Sequence, residues 1–572
     1  MQSFAAGISS GRFGRLGLVV AAVVLLTSEA VLAEKPGSFI DELRQRLGIS
    51  SPIEAGTGRP TRKSAAATAR GITRGTRALR EFYAKQGFRS TWFSDRGPTP
   101  KARIFLERLD RVDQHGLRRE DYHYKRLSDG VGTYTRTRRA ELEILMSRAF
   151  VRYGADINAG RIVQPRRVTR RLYIRTQRPD PERLLTDAAS AQDFAAFIDR
   201  LPPQTPQYRR LVNALAFYGA IARGGGWGLI AAGPTLKPGM NDPRIRQARL
   251  RLRKSGDLKT TGEVETLYTK ALAAAVRRFQ IRHGLTPDGN IGVNTLAAMN
   301  VPVARRVQQI VLNLERRRWM PDDLGDRYVF VNIADQQVKL VVNAGSAKPK
   351  TVFASRVIVG KHYQSTPIFS ATMLFIELNP HWNVPQSIAR RELLPRIKKN
   401  PSYLTSNHYL LLARPVDNRS AISPGSVDWS KMSARSFPYW IRQTPGPWNA
   451  LSSLVFRFPN PHNVYMHDTP SKALFAREVR TFSHGCIRVQ YPIKLALQLI
   501  KANASWNDPR IARTIGTRKP TRINLRDPVP VHVTYLTAWS NKDGTHHFRR
   551  DVYRRDDTLA RLLARKAPGA KF

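Results

Sequence analysis

Apolar spacing changes period once along this chain, near residue 325, and that switch divides it into a helical part and a strand part. Ahead of it, Leu142, Leu145, Met146 and Phe150 in the stretch Ala140 to Tyr153 recur at intervals of three and four, the repeat of one helix face. Beyond Arg327, Tyr328 to Ile333 and Val338 to Val342 flank Ala334 to Gln337 as two strands around a turn. Arg356 to Gly360 and Thr372 to Ile376 follow as further strands. At 572 residues, 41% of them hydrophobic, the chain exceeds what one core serves and fits about three domains. The expected class is multidomain α+β, helical domains first and a mainly β domain after them.

The N-terminus speaks for export. Arg12 and Arg15 precede the apolar run Leu16 to Leu26, and Val31-Leu32-Ala33 ends in a small residue, the order of a secretory signal over residues 1–33. The run is shorter than the roughly 18 apolar residues of a membrane span. A periplasmic protein is expected; an uncleaved signal would leave a single anchor in the inner membrane. Residues 34–73 read as a flexible basic linker, because 50–73 are small, polar and basic with no hydrophobic period.

Further boundaries follow from punctuation. A helical domain over 74–235 ends in Gly224-Gly225-Gly226 and a Pro/Gly-containing stretch to Met240. A compact helical unit over 236–304 has Asp242-Pro243 opening one helix, Ala271 to Ile281 forming a second, and the turn Gly284 to Gly289 before Ile291 to Met299. The β domain, 325–540, closes with Pro530 to Leu536. An insert at about 380–460 interrupts it, with a helical Ile388 to Ile397 and the aromatics Trp429, Tyr439, Trp440 and Trp448; long inserts in compact domains are lids or binding loops. Residues 541–572 are left as a basic tail.

Lys+Arg 95 against Asp+Glu 43 leave a net charge of +52, which attracts polyanions. The basic residues are spread along the whole chain, with no helix-turn-helix, zinc knuckle or RRM-like aromatic pattern to convert charge into readout, so nucleic acid is not expected as a partner. The cysteine count is one. An exported chain usually pairs its cysteines; Cys486 has none to pair with, and a lone thiol in an oxidising compartment is a liability unless it reacts.

Around that cysteine the sequence is Val464 to Val489, VYMHDTPSKALFAREVRTFSHGCIRV. A free thiol is mostly protonated at neutral pH, and a neighbouring imidazole can take its proton to form a thiolate–imidazolium pair. His484 stands two residues before Cys486, so in an extended segment both side chains leave on one face. His467 can approach from an adjacent strand, since Asn463 to Met466 reads as a strand, and Asp468-Thr469-Pro470 after it reads as a helix start with Thr469 capping. His467 is expected to be the general base, with His484 lining the pocket. The N–H groups of Gly485 and Cys486 are candidates for an oxyanion hole, where a glycine lets the backbone approach closely. Arg488 has two readings, a structural ion pair or a clamp for a substrate carboxylate.

Two resemblances add to this. The string AVRRFQIRHGLTPDGNIGVNTLAAMN resembles the small three-helix peptidoglycan-binding module, which implies affinity for wall glycan or stem peptide. His467, fifteen residues, then Ser483-His484-Gly485-Cys486 and Ile487-Arg488 resemble the signature of the L,D-transpeptidase catalytic domain. The chain after about residue 74 is similar to the large multidomain L,D-transpeptidases of Gram-negative bacteria, in which the insert caps the catalytic site. Stretches such as Asn379 to Pro385, Pro445 to Leu451 and Met466 to Pro470 carry the same likeness.

That resemblance implies Cys486 as nucleophile, His467 as proton acceptor and donor, His484 as an accessory histidine, and Ser483 and Arg488 as substrate contacts. It implies that Asp468 orients the base through its backbone. It implies attack on the carbonyl after the third residue of a tetrapeptide stem, release of D-alanine, a thioester, and resolution by an amine of a second stem into a 3→3 cross-link, with no metal or cofactor. Carbapenems would acylate the same cysteine. With water as acceptor the activity becomes an L,D-carboxypeptidase, and with a protein amine it attaches an outer-membrane protein to the wall; a non-catalytic wall-binding scaffold is the reading from another class. One departure is Ser452 after Asn449-Ala450-Leu451, where the family pattern leads to a glycine.

Overall fold

The computed structural model describes residues 38–49, 74–174, 176–259, 265–346, 349–503 and 505–565. The expected signal at 1–33 and the tether at 50–73 lie outside the described residues. The linker expected over 34–73 is corrected in part, because Phe39–Leu47 forms a helix. Ser38 Oγ accepts the Asp41 N–H at its start, and Gly48 closes it with a φ of 65°. Leu43 and Leu47 are buried in the same cluster as Leu79, Phe82 and Tyr83, so apolar burial decides the conformation of this charged segment.

The first domain is built on the helix Arg139–Ala159, which is buried along most of its length. Trp92, Phe105 and Phe150 pack at ring separations of 5.2 to 5.9 Å in its core. Glu143, fully buried on that helix, accepts hydrogen bonds from the backbone N–H groups of Thr91, Trp92 and Phe93 and from the hydroxyls of Ser90 and Tyr83. Burial pushes its carboxyl pKa up, and these donors pull it back. Glu143→Ala would strand three buried backbone donors. We expect it to cost this domain about 3 kcal/mol, seen as an earlier first transition in urea with an unchanged slope.

The helices Arg244–Lys254, Lys270–His283 and Val293–Met299 make the second unit around Ile245, Leu252, Leu272, Val276 and Phe279. Thr269 caps the middle helix by accepting the Leu272 N–H, and Gly284 ends it at a φ of 69°. The helix Val303–Arg318 leads from this unit to the β domain. It packs against the helix Pro206–Arg223 and against Ala538 and Phe548, so the units share one junction.

Nine strands form the β domain: β1 Tyr328–Asn332, β2 Gln337–Val342, β3 Lys350–Gly360, β4 Phe369–Leu378, β5 Leu454–Arg457, β6 Met466–His467, β7 Thr481–Ser483, β8 Ile487–Val489 and β9 Thr521–Thr534. Their order is β7-β3-β8-β6-β5-β4-β9-β1-β2, and β3 also pairs with β2, so the sheet closes on itself. β6 and β8 run parallel with Met466 opposite Ile487 and His467 opposite Arg488. Met466, Ile487 and Val489 point into the apolar core with Val331, Leu340, Val357 and Val531. Because strand side chains alternate, Tyr465, His467, Cys486 and Arg488 are directed to the opposite face.

Between Leu378 and Leu454 the chain leaves this sheet and builds a cap with its own core, including Ile388, Leu394, Ile397, Leu411, Trp429, Phe437 and Ile441. Its four strands, Trp382–Asn383, Trp440–Gln443, Tyr409–Leu412 and Ala421–Ile422, pair in that spatial order. Two buried asparagines tie the neck. Asn379 Nδ2 donates to Thr514 O and Lys519 O, and Asn449 Nδ2 donates to Pro380 O, Gln443 O and Thr444 O.

The basic tail expected over 541–572 is also corrected as far as residue 565. His546–Phe548 pairs with Ala538–Ser540, and the helix Arg555–Ala564 buries Leu559 against the β domain. Charge alone suggested a tail; the apolar residues spaced through the segment hold it in place.

Candidate active site

Cys486 sits in the turn between β7 and β8, where Gly485 has a φ of 125°, a conformation open to glycine and strained for side-chain-bearing residues. The segment is therefore a turn, so the extended arrangement that would put His484 and Cys486 on one face is not the one adopted. Ser483, 2% exposed, locks that turn: its hydroxyl donates to Cys486 O at 2.6 Å and accepts the Gly485 N–H at 3.1 Å. These two bonds correct two expectations. Ser483 is spent inside the protein instead of facing substrate, and the Gly485 N–H is already committed. Among the described residues the Cys486 N–H has no acceptor, which leaves it as the donor available to an oxyanion. Thr366 supports the turn from behind by donating to Gly485 O at 2.9 Å, and Tyr553 donates to Gly360 O at 2.6 Å beside it.

The parallel pairing of β6 and β8 brings His467 and Cys486 to one face. His467 is 4% exposed, and its Nδ1 has no well-formed hydrogen bond among the described residues. Burial, reinforced by the Arg488 charge, lowers its pKa to about 3, while the Asp468 backbone and carboxylate act in the opposite direction. Burial pushes the Cys486 thiol up, opposed by Tyr465 and by the charges of Arg488 and Arg457. Both directions favour a neutral thiol beside a neutral imidazole at rest, in place of the ion pair expected from the sequence. The thiol donates to Asn463 O at 3.8 Å.

Asp468 is buried, and its side chain has work apart from the imidazole. It accepts the N–H groups of Ser453 and Thr469 and pairs with the Lys472 ammonium. The helix start expected at Asp468 to Pro470 comes later, as a short 3₁₀ turn over Lys472–Ala476, because the Asp468 carboxylate holds the preceding backbone. Of the two readings of Arg488, the ion pair is not made among the described residues; its Nε is buried without a partner. His484 pairs through Nε2 with Glu392 Oε1 of the cap at 2.5 Å.

Tyr465 is the residue that sequence reasoning passed over. Tyr465 holds the pKa of the Cys486 thiol down, in favour of the thiolate. Its ring lies 5.7 Å from that of His467, and Arg457 stacks 5.0 Å from its ring centre while held by Glu377 at 2.9 and 3.1 Å. The signal was present: Tyr465 and His467 are two apart in a strand and so share a face.

Comparison with known proteins places this geometry. Residues 326–521 match the model of the L,D-transpeptidase catalytic domain, residues 241–299 that of a "Putative peptidoglycan binding domain", and residues 77–215 that of a "Scaffold domain". The chain therefore carries an L,D-transpeptidase catalytic domain joined to a peptidoglycan-binding domain. A "Putative L,D-transpeptidase" of Haemophilus influenzae is 33% identical over 245 residues, which covers 42% of this chain and 47% of that protein, so the match spans about half of the relative's length. Among solved structures, an L,D-transpeptidase of Xylanimonas cellulosilytica is 12% identical, with 53% of this chain and 98% of that one covered and a TM-score of 0.18. One from Stackebrandtia nassauensis is 14% identical, with 55% and 100% covered and a TM-score of 0.22. Among the described residues no helix is long and apolar enough to cross a membrane.

Proposed function

We propose that this protein is a periplasmic L,D-transpeptidase that forms 3→3 cross-links between tetrapeptide stems of peptidoglycan. The observation that carries the reading is the glycine turn that delivers the lone Cys486 to the same sheet face as the buried imidazole of His467, whose Nδ1 has no partner among the described residues. As sulfur attacks the carbonyl after the third stem residue, the thiol proton passes to His467 and the Cys486 N–H receives the developing oxyanion. The C–N bond breaks, His467 returns the proton to the departing D-alanine, and the stem remains as a thioester. A side-chain amine of a second stem then attacks the thioester carbonyl, loses a proton, and releases the sulfur to be reprotonated. The Arg488 guanidinium, free of an acidic partner among the described residues, is suited to a stem carboxylate. No resident metal or cofactor enters these steps.

Incubation with purified tetrapeptide muropeptides followed by mass spectrometry tests the reading. A dimer that has lost one D-alanine is the expected product. A trimmed tripeptide without dimer would replace the transpeptidase with a carboxypeptidase. Transfer only to the amine of an outer-membrane protein would make wall attachment the activity, and no product with any acceptor would leave a wall-binding scaffold.

A further inference from the structure

A carboxylate of the cap meets the catalytic turn, and the local architecture shows why it is aimed there. Glu392 lies on Ala389–Leu393, a stretch of π-helix whose end residues Ala389 and Leu393 are buried in the cap core. With those two directed inward, Glu392 projects from the cap and meets His484 Nε2 at 2.5 Å. Wide helical turns of this kind are rare and frequent at functional sites. His484 is followed directly by Gly485 and Cys486, so an anchor on its ring restrains the backbone that leads into the turn. The cap is otherwise joined to the sheet through the neck at Asn379 and Asn449.

We infer that Glu392 is a positioning residue, a clasp by which the closed cap fixes the tautomer and orientation of His484 and, through it, the Cys486 turn. A carboxylate on Nε2 holds the proton there and leaves Nδ1 as the free end of the ring. Cap closure and the setting of the nucleophile's turn are then one event, because displacement of the cap removes the acceptor from His484. The role in cross-linking rests on the transpeptidase reading above; the clasp itself does not.

The test is a double-mutant cycle on the full chain with Glu392→Ala, Glu392→Gln, His484→Ala and the Glu392→Ala/His484→Ala pair. Glu392→Ala is expected to lower kcat for stem cross-linking about tenfold with KM nearly unchanged, since misplacement at a reacting centre acts on the chemical step. Glu392→Gln keeps an acceptor oxygen and is expected to recover most of that loss. In the His484→Ala background, Glu392→Ala should add nothing. A second readout needs no wall substrate: Cys486 is the only cysteine, so its alkylation by iodoacetamide reports access to the turn directly. That rate is expected to rise several-fold in Glu392→Ala and no further in the pair. Wild-type kcat and alkylation in Glu392→Ala, or effects that simply add in the pair, would overturn the inference. A wild-type protein inactive on stems would remove the transpeptidase reading while the alkylation cycle still decides the clasp.

Discussion

Cys486→Ala is expected to abolish D-alanine release and dimer formation, a loss on the order of 10⁴-fold or more, because no second thiol exists to take its place. A methyl group in the turn changes little in packing. Ser483 binds the Cys486 carbonyl and not its side chain, and Thr366 binds Gly485, so the turn survives the substitution. Unfolding midpoint should therefore match wild type while activity disappears. Wild-type chain incubated with a carbapenem is expected to gain the mass of the covalent adduct, and the same variant is expected to keep its own mass. Cross-linking that persists in Cys486→Ala would remove the nucleophile from this site altogether.

His467→Gln is the second large effect, an expected fall of about 10²- to 10⁴-fold in kcat, the usual worth of a positioned general base. It has a separate signature in stability. An imidazole is ordinarily half-protonated near pH 6.5 in the unfolded chain, and burial takes that of His467 to about 3 in the folded one. Between those values the unfolded chain binds a proton that the folded chain does not. The contribution is thus fully present above pH 6.5 and is lost as pH falls toward 3. Denaturant midpoints at pH 7 and pH 5 should separate more for wild type than for His467→Gln. An equal pH dependence in the two would mean that His467 is not held neutral by burial.

The main architecture was legible from period alone. The alternation from Tyr328 to Val342 corresponds to β1 and β2 paired in antiparallel register, and the apolar intervals from Ala140 to Tyr153 lie inside one long helix. The lone cysteine and the spacing to His467 pointed to a shared face, which the parallel pairing of β6 and β8 provides. What failed had local physical causes. The composition of residues 50–73 carried Phe39–Leu47 into the expected linker, although Ser38 and Gly48 frame it as a helix. A shared face for His484 and Cys486 requires an extended segment, and the positive φ of Gly485 turns the chain between them. The Asp468 carboxylate, drawn inward to Lys472 and two backbone amides, delays the helix expected there. Glu392 lies 92 residues from His484, and nothing in local sequence could announce a contact made by a folded insert.

The closed sheet also orders events in time. β9 slots between β4 and β1, and Val533 pairs with Val331 across some two hundred residues, so the ring cannot be completed until its final strand has been synthesised. Tyr553, later still, braces the strand end beside the Cys486 turn. A nascent chain therefore carries Cys486 before the strand and the tyrosine that support its turn exist, so the nucleophile candidate is completed by chain made after it.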